Sequence, residues 1–435
     1  MDKLTLKKMA LDAIEKNKDI IISTGKAILA KPELGYKEWE TSKRVKERFT
    51  EIGLKYRDGI ALTGVEAIAK CGSPGPRVAV MGELDAVLCP AHPFADPVTG
   101  AAHSCGHNAQ IAAMLGVAYG LVTSGVMGEL AGSVAFIAVP AEEFVELEYR
   151  QNLVDQGKIK YLGGKQEMIA NGDFDGIDLA MMVHATSDKG DQKAYINGTS
   201  NAFLGKTVNF IGKEAHAGGS PESGINALNA AMGAIMLIHA QRETFKDDDG
   251  IRVHPILTKG GDLVNIVPAD VRMETFVRGK TIESVADANK KVNRAIKGAA
   301  FALGAEAKIR ELPGYLALNQ DKKMSRLFAD NMIHLYGENS VSEGESSGGS
   351  TDMGDISGLM PALHPYMGGF SGGGHSKDYK IVSDDAAYLC PARVMAMTVI
   401  DLLFKGASTA KKIMADFKPL YTKEQYIKIW ADIME

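Results

Sequence analysis

The sequence predicts an α/β fold: a main domain with a mainly parallel sheet flanked by helices, interrupted by an inserted α+β sandwich domain. Two segments, "RVAVMGELDAV" (77–87) and "SVAFIAVP" (133–140), have uniformly apolar centres, and an apolar helical segment (108–124) lies between them. Strands of this kind are typical of a sheet covered on both faces, and the order strand, helix, strand favours parallel pairing. Near residue 196 the pattern changes to amphipathic strands and long helices, which indicates a second domain.

The elements of the main domain follow in order. Charged and apolar residues recur at helical spacing over residues 4–30 and 37–53, so both stretches are predicted helices. The two strands and the helix between them come next, and a last helix is predicted over 388–406. We assign residues 1–197 and 313–435 to this domain.

The inserted domain, residues 198–312, has an element order of its own. "KTVNFIGKEAHAG" is an amphipathic strand, and "GINALNAAMGAIMLIHAQRETF" is a long helix. "RVHPILTKGGDLVNIVPADVRMETFVRG" contains two strands around a glycine turn, and "ESVADANKKVNRAIKGAAFALG" is a second long helix. Strand, helix, two strands, helix is the order of a small α+β sandwich that is complete in itself.

Composition excludes several classes of partner. The 435 residues include 49 Lys and Arg against 54 Asp and Glu, so the chain has no global positive field that would hold a nucleic acid. Its four cysteines are sparse and unevenly spaced, which favours a reducing compartment over a disulfide framework. The first 29 residues mix charges with apolar residues and lack the apolar core of a signal peptide. We therefore expect a cytoplasmic protein.

One uncharged segment, residues 108–128, has the length of a membrane span. It consists mainly of Ala and Gly and contains Gln110, Thr123 and Ser124. This composition favours close packing inside a domain, so no membrane association is expected.

Candidate metal ligands follow the predicted strands. Cys105 and His107, in "HSCGHNAQ", begin the helix after the first strand, and a thiolate and an imidazole at this spacing can reach one ion. A buried cysteine beside a helix-capping histidine is the alternative. Glu142 and Glu143 directly follow the second strand, and adjacent carboxylates repel each other unless a cation lies near. For an isolated pair, a solvated acidic loop is the alternative.

Two further histidines complete the pattern. His184, in "VHA", ends another apolar strand, and His375 lies in the glycine-rich loop "GGGHSKDY". Each has a simple alternative, a core histidine for the first and a surface loop for the second. Because open α/β sheets build their sites at the carboxyl ends of strands, the four signals together favour a site for two metal ions.

Seven motifs resemble, in order and in register, those of the M20 family of metallopeptidases and amidohydrolases. The similarity covers nearly the whole chain and is greatest to the amidohydrolase branch, which includes aminobenzoyl-glutamate hydrolases, hippurate hydrolases and aminoacylase-like dipeptidases. The motifs are "HSCGHNAQ", the pair Glu142 and Glu143, "VHA", "GKEAHAGGSPESGINAL", "GGDLVNIVPADVRMETFVRG", "STDMGDIS" and "GGGHSKDY". The resemblance implies that the inserted domain is a lid and dimerisation domain.

The resemblance also implies roles in the main domain. Glu142 becomes the general base for a metal-activated water. Asp85 orients one of the metal ligands without binding the metal itself. Glu83 stands where more distant relatives carry a ligand histidine. The implied ligands of two metal ions, with Cys105 as the bridge between them, are Cys105, His107, Glu143, His184 and His375.

In the inserted domain the resemblance singles out three residues. His216 would reach the active site of the partner subunit and polarise the scissile carbonyl. Asn265 would hold the oxyanion region, and Arg278 would bind the substrate carboxylate. Read alone, His216 is a surface histidine at a strand end, and Arg278 has a surface ion pair as its alternative.

The implied function is metal-dependent hydrolysis of the amide bond of N-acyl or aminoacyl amino acids by a homodimer. Alternatives are a dipeptidase or aminopeptidase of the same fold and a non-catalytic binding or regulatory homologue. Zinc or manganese is the expected metal, with cobalt or nickel as further options, because imidazole and carboxylate accept all four.

Overall fold

The computed structural model of the protein describes residues 1–187 and 192–434. The helices of these residues are α1 (Lys3–Lys16), α2 (Lys18–Leu29), α3 (Trp39–Glu51), α4 (His107–Thr123), α5 (Leu147–Asp155), α6 (Gly164–Asn171), α7 (Ala227–Ala240), α8 (Ile282–Ala302), α9 (Lys322–Tyr336), α10 (Met353–Leu359), α11 (Cys390–Asp416) and α12 (Lys423–Met434). The strands are β1 (Tyr56–Ile60), β2 (Gly64–Lys70), β3 (Ser73–Glu83), β4 (Val87–Leu88), β5 (Ala101–Ala102), β6 (Ala131–Val139), β7 (Leu179–Met181), β8 (His184–Ala185), β9 (Ala194–Ile196), β10 (Ala202–Ile211), β11 (Arg252–Val253), β12 (Ile256–Lys259), β13 (Asp270–Gly279), β14 (Glu306–Leu312), β15 (Val341–Glu343), β16 (Ala362–Leu363), β17 (Tyr366–Met367), β18 (Phe370–Ser371) and β19 (Lys380–Ile381).

The chain forms two compact units. Unit 1 consists of the segments Met1–Thr199, Asn319–Ser346 and Asp355–Lys423. Unit 2 consists of Ser200–Leu318, Ser347–Gly354 and Glu424–Glu435.

A six-stranded mixed sheet is the centre of unit 1, in the order β1-β2-β6-β3-β7-β16. The pairs from β6 to β16 are parallel, whereas β1 and β2 join antiparallel at one edge. The inner strands β3 and β6 are buried along most of their length. The predicted α/β fold with a mainly parallel sheet is therefore confirmed.

Helix α4 packs against the sheet and against helices α1, α2 and α11, and nearly all of it is buried. Its small residues make this packing possible. A Cβ added at Gly116 would lie 2.6 Å from the Cβ of Ala392, and one at Gly120 would lie 2.8 Å from the side chain of Ile14. The Ala- and Gly-rich segment that resembles a membrane span in sequence is thus a close-packed core helix.

Among the described residues, one helical stretch, Asp385–Asp416, is long and apolar enough to cross a membrane. Within its most apolar window, 89% of the residues are buried inside the protein. Core helices have the same composition, so this stretch is weak evidence for membrane insertion.

Unit 2 contains an antiparallel sheet in the order β11-β13-β10-β14, with β12 also paired to β13. Helices α7 and α8 pack on each other and on β10 and β13. The predicted strand, helix, two strands and helix are present, but the first of the two strands is divided into β11 and β12, and β14 follows the second helix as an additional strand.

The predicted single helix over residues 4–30 is wrong in one respect. It is divided into α1 and α2 at Asn17, which leaves the helical conformation at φ −105° and ψ 12°. The Asn17 side chain donates to the Ala13 carbonyl oxygen at 2.8 Å. Asparagine side chains compete in this way for backbone hydrogen bonds, which explains the break.

Candidate metal centre

Three neighbouring parallel strands of unit 1 end at the candidate metal centre. Strand β3 lies between β6 and β7, with Glu83 paired to Val139 and Val80 paired to Met181. The segments that follow these three strands carry Asp85, the Glu142 and Glu143 pair, and His184. Because the three strands are parallel, residues that are far apart in sequence lie side by side at the carboxyl end of the sheet.

One group of potential ligands contains Cys105, His107 and His184, whose donor atoms all lie within 4.8 Å of one another. The Cys105 Sγ is 3.5 Å from the His184 Nε2. His107 Nδ1 donates to the Asp85 carbonyl oxygen at 2.9 Å, and His184 Nδ1 donates to the Ala185 carbonyl oxygen at 3.0 Å. Because a carbonyl oxygen only accepts, Nδ1 of each ring carries a proton, and Nε2 is the ring atom that faces the other potential ligands.

A second group shares the same thiol. The donor atoms of Cys105, Glu143 and His375 also lie within 4.8 Å of one another, and His375 Nε2 is 3.2 Å from Glu143 Oε1. His375 has φ +57° in its loop, and its backbone N–H donates to the Ser104 carbonyl oxygen at 2.9 Å. That bond fixes the loop beside Cys105. The two groups therefore meet at Cys105 Sγ.

Glu142 points away from this second group, although it is adjacent to Glu143 in sequence. Its Oε2 is 3.9 Å from His107 Nε2. The donor atoms of Glu83, His107 and Glu142 form a third group, in which all lie within 4.8 Å of one another. The side chains of Glu142 and Glu143 thus face different imidazoles.

Asp85 contacts both sides of the centre. Its Oδ2 accepts the backbone N–H of Glu143 at 2.9 Å, and its Oδ1 is 3.4 Å from His107 Nδ1. Its side chain is fully buried. Asp85 thus contacts both the backbone of Glu143 and the imidazole ring of His107, and it can hold these two candidate ligands in position.

The turn between β6 and Glu143 is held by two residues that the sequence did not single out. Ala141 has φ +54°, a left-handed conformation that costs about 1 kcal/mol for a residue other than glycine. Buried Glu38 accepts the Ala141 N–H at 2.8 Å, and buried Arg150 donates to the carbonyl oxygens of Ala141 and Glu143. The burial of Glu38 and the charge of Asp85 raise the pKa of Glu38 to about 7.

The acidic and basic side chains of the centre shift one another's pKa values. Burial and the Glu143 charge raise the pKa of the Cys105 thiol, but the neighbouring histidines outweigh them and lower it to about 6. Hydrogen bonds to Cys105 and Glu143 raise the pKa of His375 to about 11. Burial lowers the pKa of His107, but the Glu83 carboxylate outweighs it and raises the value well above normal. Anionic donors therefore surround imidazoles, an arrangement that favours a positive charge, either a proton on the ring or a cation in its place.

The residues present fit divalent cations. The two groups offer a thiolate, three imidazoles and a carboxylate, a donor set that zinc and similar ions accept. The buried carboxylates approach the imidazoles closely: Glu83 Oε2 is 3.0 Å from His107 Nε2, and Glu143 Oε1 is 3.2 Å from His375 Nε2. This convergence of acidic and imidazole donors is compatible with a cation site.

The three residues predicted in the inserted domain all lie in unit 2. His216 forms a β-bridge with Ile266, and the Ala217 N–H donates to the Asn265 carbonyl oxygen at 2.9 Å. His216 Nδ1 accepts from the N–H groups of Gly218 and Gly219, so the ring keeps Nε2 for another contact. The structure thus brings the His216 and Asn265 loops together.

Arg278 lies at the other end of unit 2. It pairs with Phe203 near the end of β13, whereas the His216 loop follows Ile211, which pairs with Asp270 at the beginning of that strand. Its guanidinium donates to Ser350 Oγ at 2.7 Å and lies 5.1 Å from the Phe203 ring centroid. From Asp270 to Arg278 the strand is roughly 27 Å long at about 3.4 Å per residue, so the structure does not bring Arg278 to His216 within one chain.

Comparisons with known proteins agree with this architecture. A family model of the peptidase dimerisation domain of M20 proteins matches residues 199–302. The chain is 28% identical to a Mus musculus Xaa-Arg dipeptidase, over 98% of this chain and 95% of that protein. It is 30% identical to thermostable carboxypeptidase 2 of Saccharolobus solfataricus, over 62% of this chain and 67% of that protein.

A solved structure shares the fold. The crystal structure of a dinuclear metal-binding M20 peptidase from Bacillus subtilis matches with a TM-score of 0.67 and 22% identity, over 89% of this chain and 99% of that chain.

Proposed function

Because this chain belongs to the M20 family of metallopeptidases and amidohydrolases, we propose that it is a metal-dependent hydrolase that cleaves the amide bond of N-acyl or aminoacyl amino acids. The observation that carries the proposal is the pair of donor groups that share Cys105 Sγ, with the carboxylate of Glu142 beside them. The similarity to a dipeptidase and a carboxypeptidase supports an amide substrate with a free carboxylate.

Cys105, His107, Glu143, His184 and His375 would hold two divalent cations, with zinc or manganese as the proposed metals and cobalt or nickel as further options. When bound, such cations supply Lewis acidity, which polarises a carbonyl and acidifies water. The thiolate of Cys105, common to both groups, is the proposed bridge. Asp85 fixes the orientation of His107 and of the Glu143 backbone.

Glu142 is the proposed general base. Its Oε2 lies 3.9 Å from His107 Nε2, which places the carboxylate beside the centre where a water molecule would be activated. It would take the proton of the attacking water and then deliver it to the leaving amine. Glu143 cannot share this task, because its Oε1 faces His375.

Unit 2 would supply the remaining contacts. A carboxylate of the substrate would pair with the Arg278 guanidinium, which Ser350 and Phe203 already hold in position. His216, with Asn265 beside it, would donate to the developing oxyanion. Since Arg278 and His216 lie at opposite ends of β13, we assign them to two different active sites of a homodimer.

The surface of unit 2 supports the proposed dimer. Met232 and Met236, one turn apart on α7, are 53% and 72% exposed, and Phe301 on α8 is 87% exposed. Helices α7 and α8 pack on each other, and exposed apolar side chains on such a pair of helices are typical of a surface that a protein partner covers. The four cysteines are free thiols, which agrees with the cytoplasmic location that we propose.

A substrate panel tests the function. The enzyme is stripped with a chelator, reloaded with zinc, manganese, cobalt or nickel, and assayed on N-acyl amino acids, aminobenzoyl-glutamate and dipeptides, with the Glu142→Gln variant as control. We expect metal-dependent release of the amine product, and the preferred class separates an acyl-amino-acid hydrolase from a dipeptidase. A protein that binds two metals and turns over none of these substrates would instead be a binding homologue.

A further inference from the structure

Two arginines lie opposite each other on the sheet of unit 2. Arg252 of β11 and Arg278 of β13 are paired in an antiparallel register. Directly opposed residues of antiparallel strands have their side chains on one face of the sheet, with Cβ atoms about 4.5–5.5 Å apart. The two guanidinium groups therefore belong to the same face.

A short loop of unit 2 contacts both side chains. The Arg278 guanidinium donates to Ser350 Oγ at 2.7 Å. The Arg252 guanidinium lies beside Gly348, where an added Cβ would be 3.5 Å from the arginine Cζ. Gly348 and Ser350 are two residues apart in sequence, so their Cα atoms are at most about 7 Å apart. Both guanidinium groups thus lie against one loop segment.

The two positive charges repel each other at this spacing, because like charges directly opposite each other destabilise an antiparallel pair. Within the described part of the chain, no carboxylate forms an ion pair with Arg252, which is exposed. The Phe203 and Phe276 rings lie 5.1 and 5.4 Å from the Arg278 guanidinium, and Phe203 is its partner on the other neighbouring strand. This face of the sheet is therefore positively charged and fits an anion.

We propose that Arg252 is a specificity residue that binds a second carboxylate of the substrate, so that the amino acid released by the enzyme is acidic. The inference rests on the proposed function, in which Arg278 binds the α-carboxylate of that amino acid. In glutamate the two carboxyl carbons are four bonds apart, roughly 5 Å when extended at about 1.5 Å per bond. This separation is comparable with the spacing of the two opposed arginines. Arg252 would bind the side-chain carboxylate.

The two arginines would serve the same active site in either arrangement of the dimer, because they lie on one sheet of one chain. A substrate with a neutral side chain leaves Arg252 without an anion. A substrate with a basic side chain brings a third like charge to the two guanidinium groups, and such repulsion excludes a ligand as effectively as attraction selects one. Acidic substrates should therefore be preferred to neutral ones, and neutral ones to basic ones.

The test compares substrates that differ in side-chain charge. N-acyl-glutamate and N-acyl-glutamine have nearly the same shape, and N-acyl-lysine has the opposite charge. The metal-loaded, full-length protein is assayed on all of them with acetyl, benzoyl and glycyl groups as the acyl part. The variants are Arg252→Met and Arg252→Glu. The matched control is Arg272→Met, which removes an arginine on the same face of β13 whose side chain is 51% exposed.

We expect the wild-type kcat/KM to decrease in the order glutamate, glutamine, lysine. Arg252→Met should lower kcat/KM for the glutamate substrate by about tenfold, the loss of a hydrogen bond to a charged group, and leave the glutamine substrate almost unchanged. Arg252→Glu should reverse the order of the glutamate and lysine substrates, a gain that a misfolded protein cannot produce. Arg272→Met should keep the wild-type order.

Two results would overturn the inference and leave the proposed function intact. The first is a wild-type enzyme that hydrolyses these amides without preferring glutamate. The second is an Arg252→Met variant whose kcat/KM changes by the same factor for the glutamate and glutamine substrates, or for neither. A wild-type protein without metal-dependent turnover of any of the substrates would instead overturn the proposed function.

Discussion

The Asp85 carboxylate accepts the backbone N–H of Glu143 at 2.9 Å and thereby ties the segment after β3 to the segment after β6. This bond, with the clamp that Glu38 and Arg150 form on the preceding turn, fixes the direction of two consecutive glutamates. Glu142 then faces His107, and Glu143 faces His375. Adjacent residues of one type can therefore have separate tasks.

The two glutamates should respond differently to the same substitution. We expect Glu142→Gln to retain both metals and to lose activity by about 10²–10⁴-fold, the usual contribution of a general base. Glu143→Gln should lose metal, because its oxygen is a proposed ligand. Elemental analysis and steady-state kinetics on both variants decide the matter. A Glu142→Gln enzyme with nearly normal turnover would refute the assignment.

Cys105 should show a pH-dependent reactivity that metal suppresses. Its pKa of about 6 means that in chelated protein the thiolate fraction rises through pH 6 and is nearly complete by pH 8. Alkylation by iodoacetamide should therefore level off above about pH 7, whereas an ordinary thiol, with a pKa of about 8.5, would still gain rate.

Metal should slow that alkylation by occupying the sulfur. Cys105→Ala provides the control for the other thiols, of which Cys71 has its pKa raised to about 11 by burial. Peptide mapping by mass spectrometry follows each cysteine. Equal rates with and without metal would favour a structural cysteine at position 105.

Mixed dimers should restore activity if His216 acts on the partner's substrate. His216→Ala and Glu142→Gln are each expected to be inactive, but a heterodimer has one site that lacks neither residue. After subunit exchange, a statistical mixture should recover up to about a quarter of wild-type activity, since about half of the dimers are mixed and each has one intact site. Exchange is verified by differently tagged subunits. Exchanged dimers without activity would place His216 in its own subunit's site or outside the mechanism.

Arg278 should govern preference for a free carboxylate. We expect Arg278→Met to lower kcat/KM for acidic substrates by about 10–150-fold, from the 1.5–3 kcal/mol of a hydrogen bond to a charged group. The same substrates with an amidated carboxyl group should be almost unaffected. Arg272→Met, on the same strand with its side chain 51% exposed, is the matched control. A loss that is equal for acid and amide would indicate a structural role.

The fold was largely predictable because its signals are local. Burial can be predicted directly from the apolar centres of β3 and β6 and from the small residues of α4, without knowledge of the rest of the chain. The division at Asn17 was not predictable from periodicity, since the apolar pattern continues across it and only the competing side-chain hydrogen bond ends the helix.

The site was predictable only where a residue type carries chemistry. Cysteine and histidine after strands indicate a metal site. Lys165, by contrast, stands in "GGKQEM", which is typical of an exposed helix, and nothing near it in sequence indicates its buried ion pair with Glu83. The positive φ of Ala141 is equally unpredictable from the sequence, because alanine has no preference for that conformation. Such residues become visible only through contacts between distant segments.

Unit 1 is assembled from three separate chain segments, and this has a consequence for biosynthesis on the ribosome. Strand β7 gains its outer neighbour β16, and the thiol gains His375, only after the long segment Ser200–Leu318 of unit 2 has been translated. Until then the nascent chain exposes an unpaired strand edge, which is a hazard for aggregation. The donor group of Cys105, Glu143 and His375 is therefore complete only after the C-terminal segment has been synthesised, and a chaperone that shields β7 would have to remain bound while Ser200–Leu318 is synthesised.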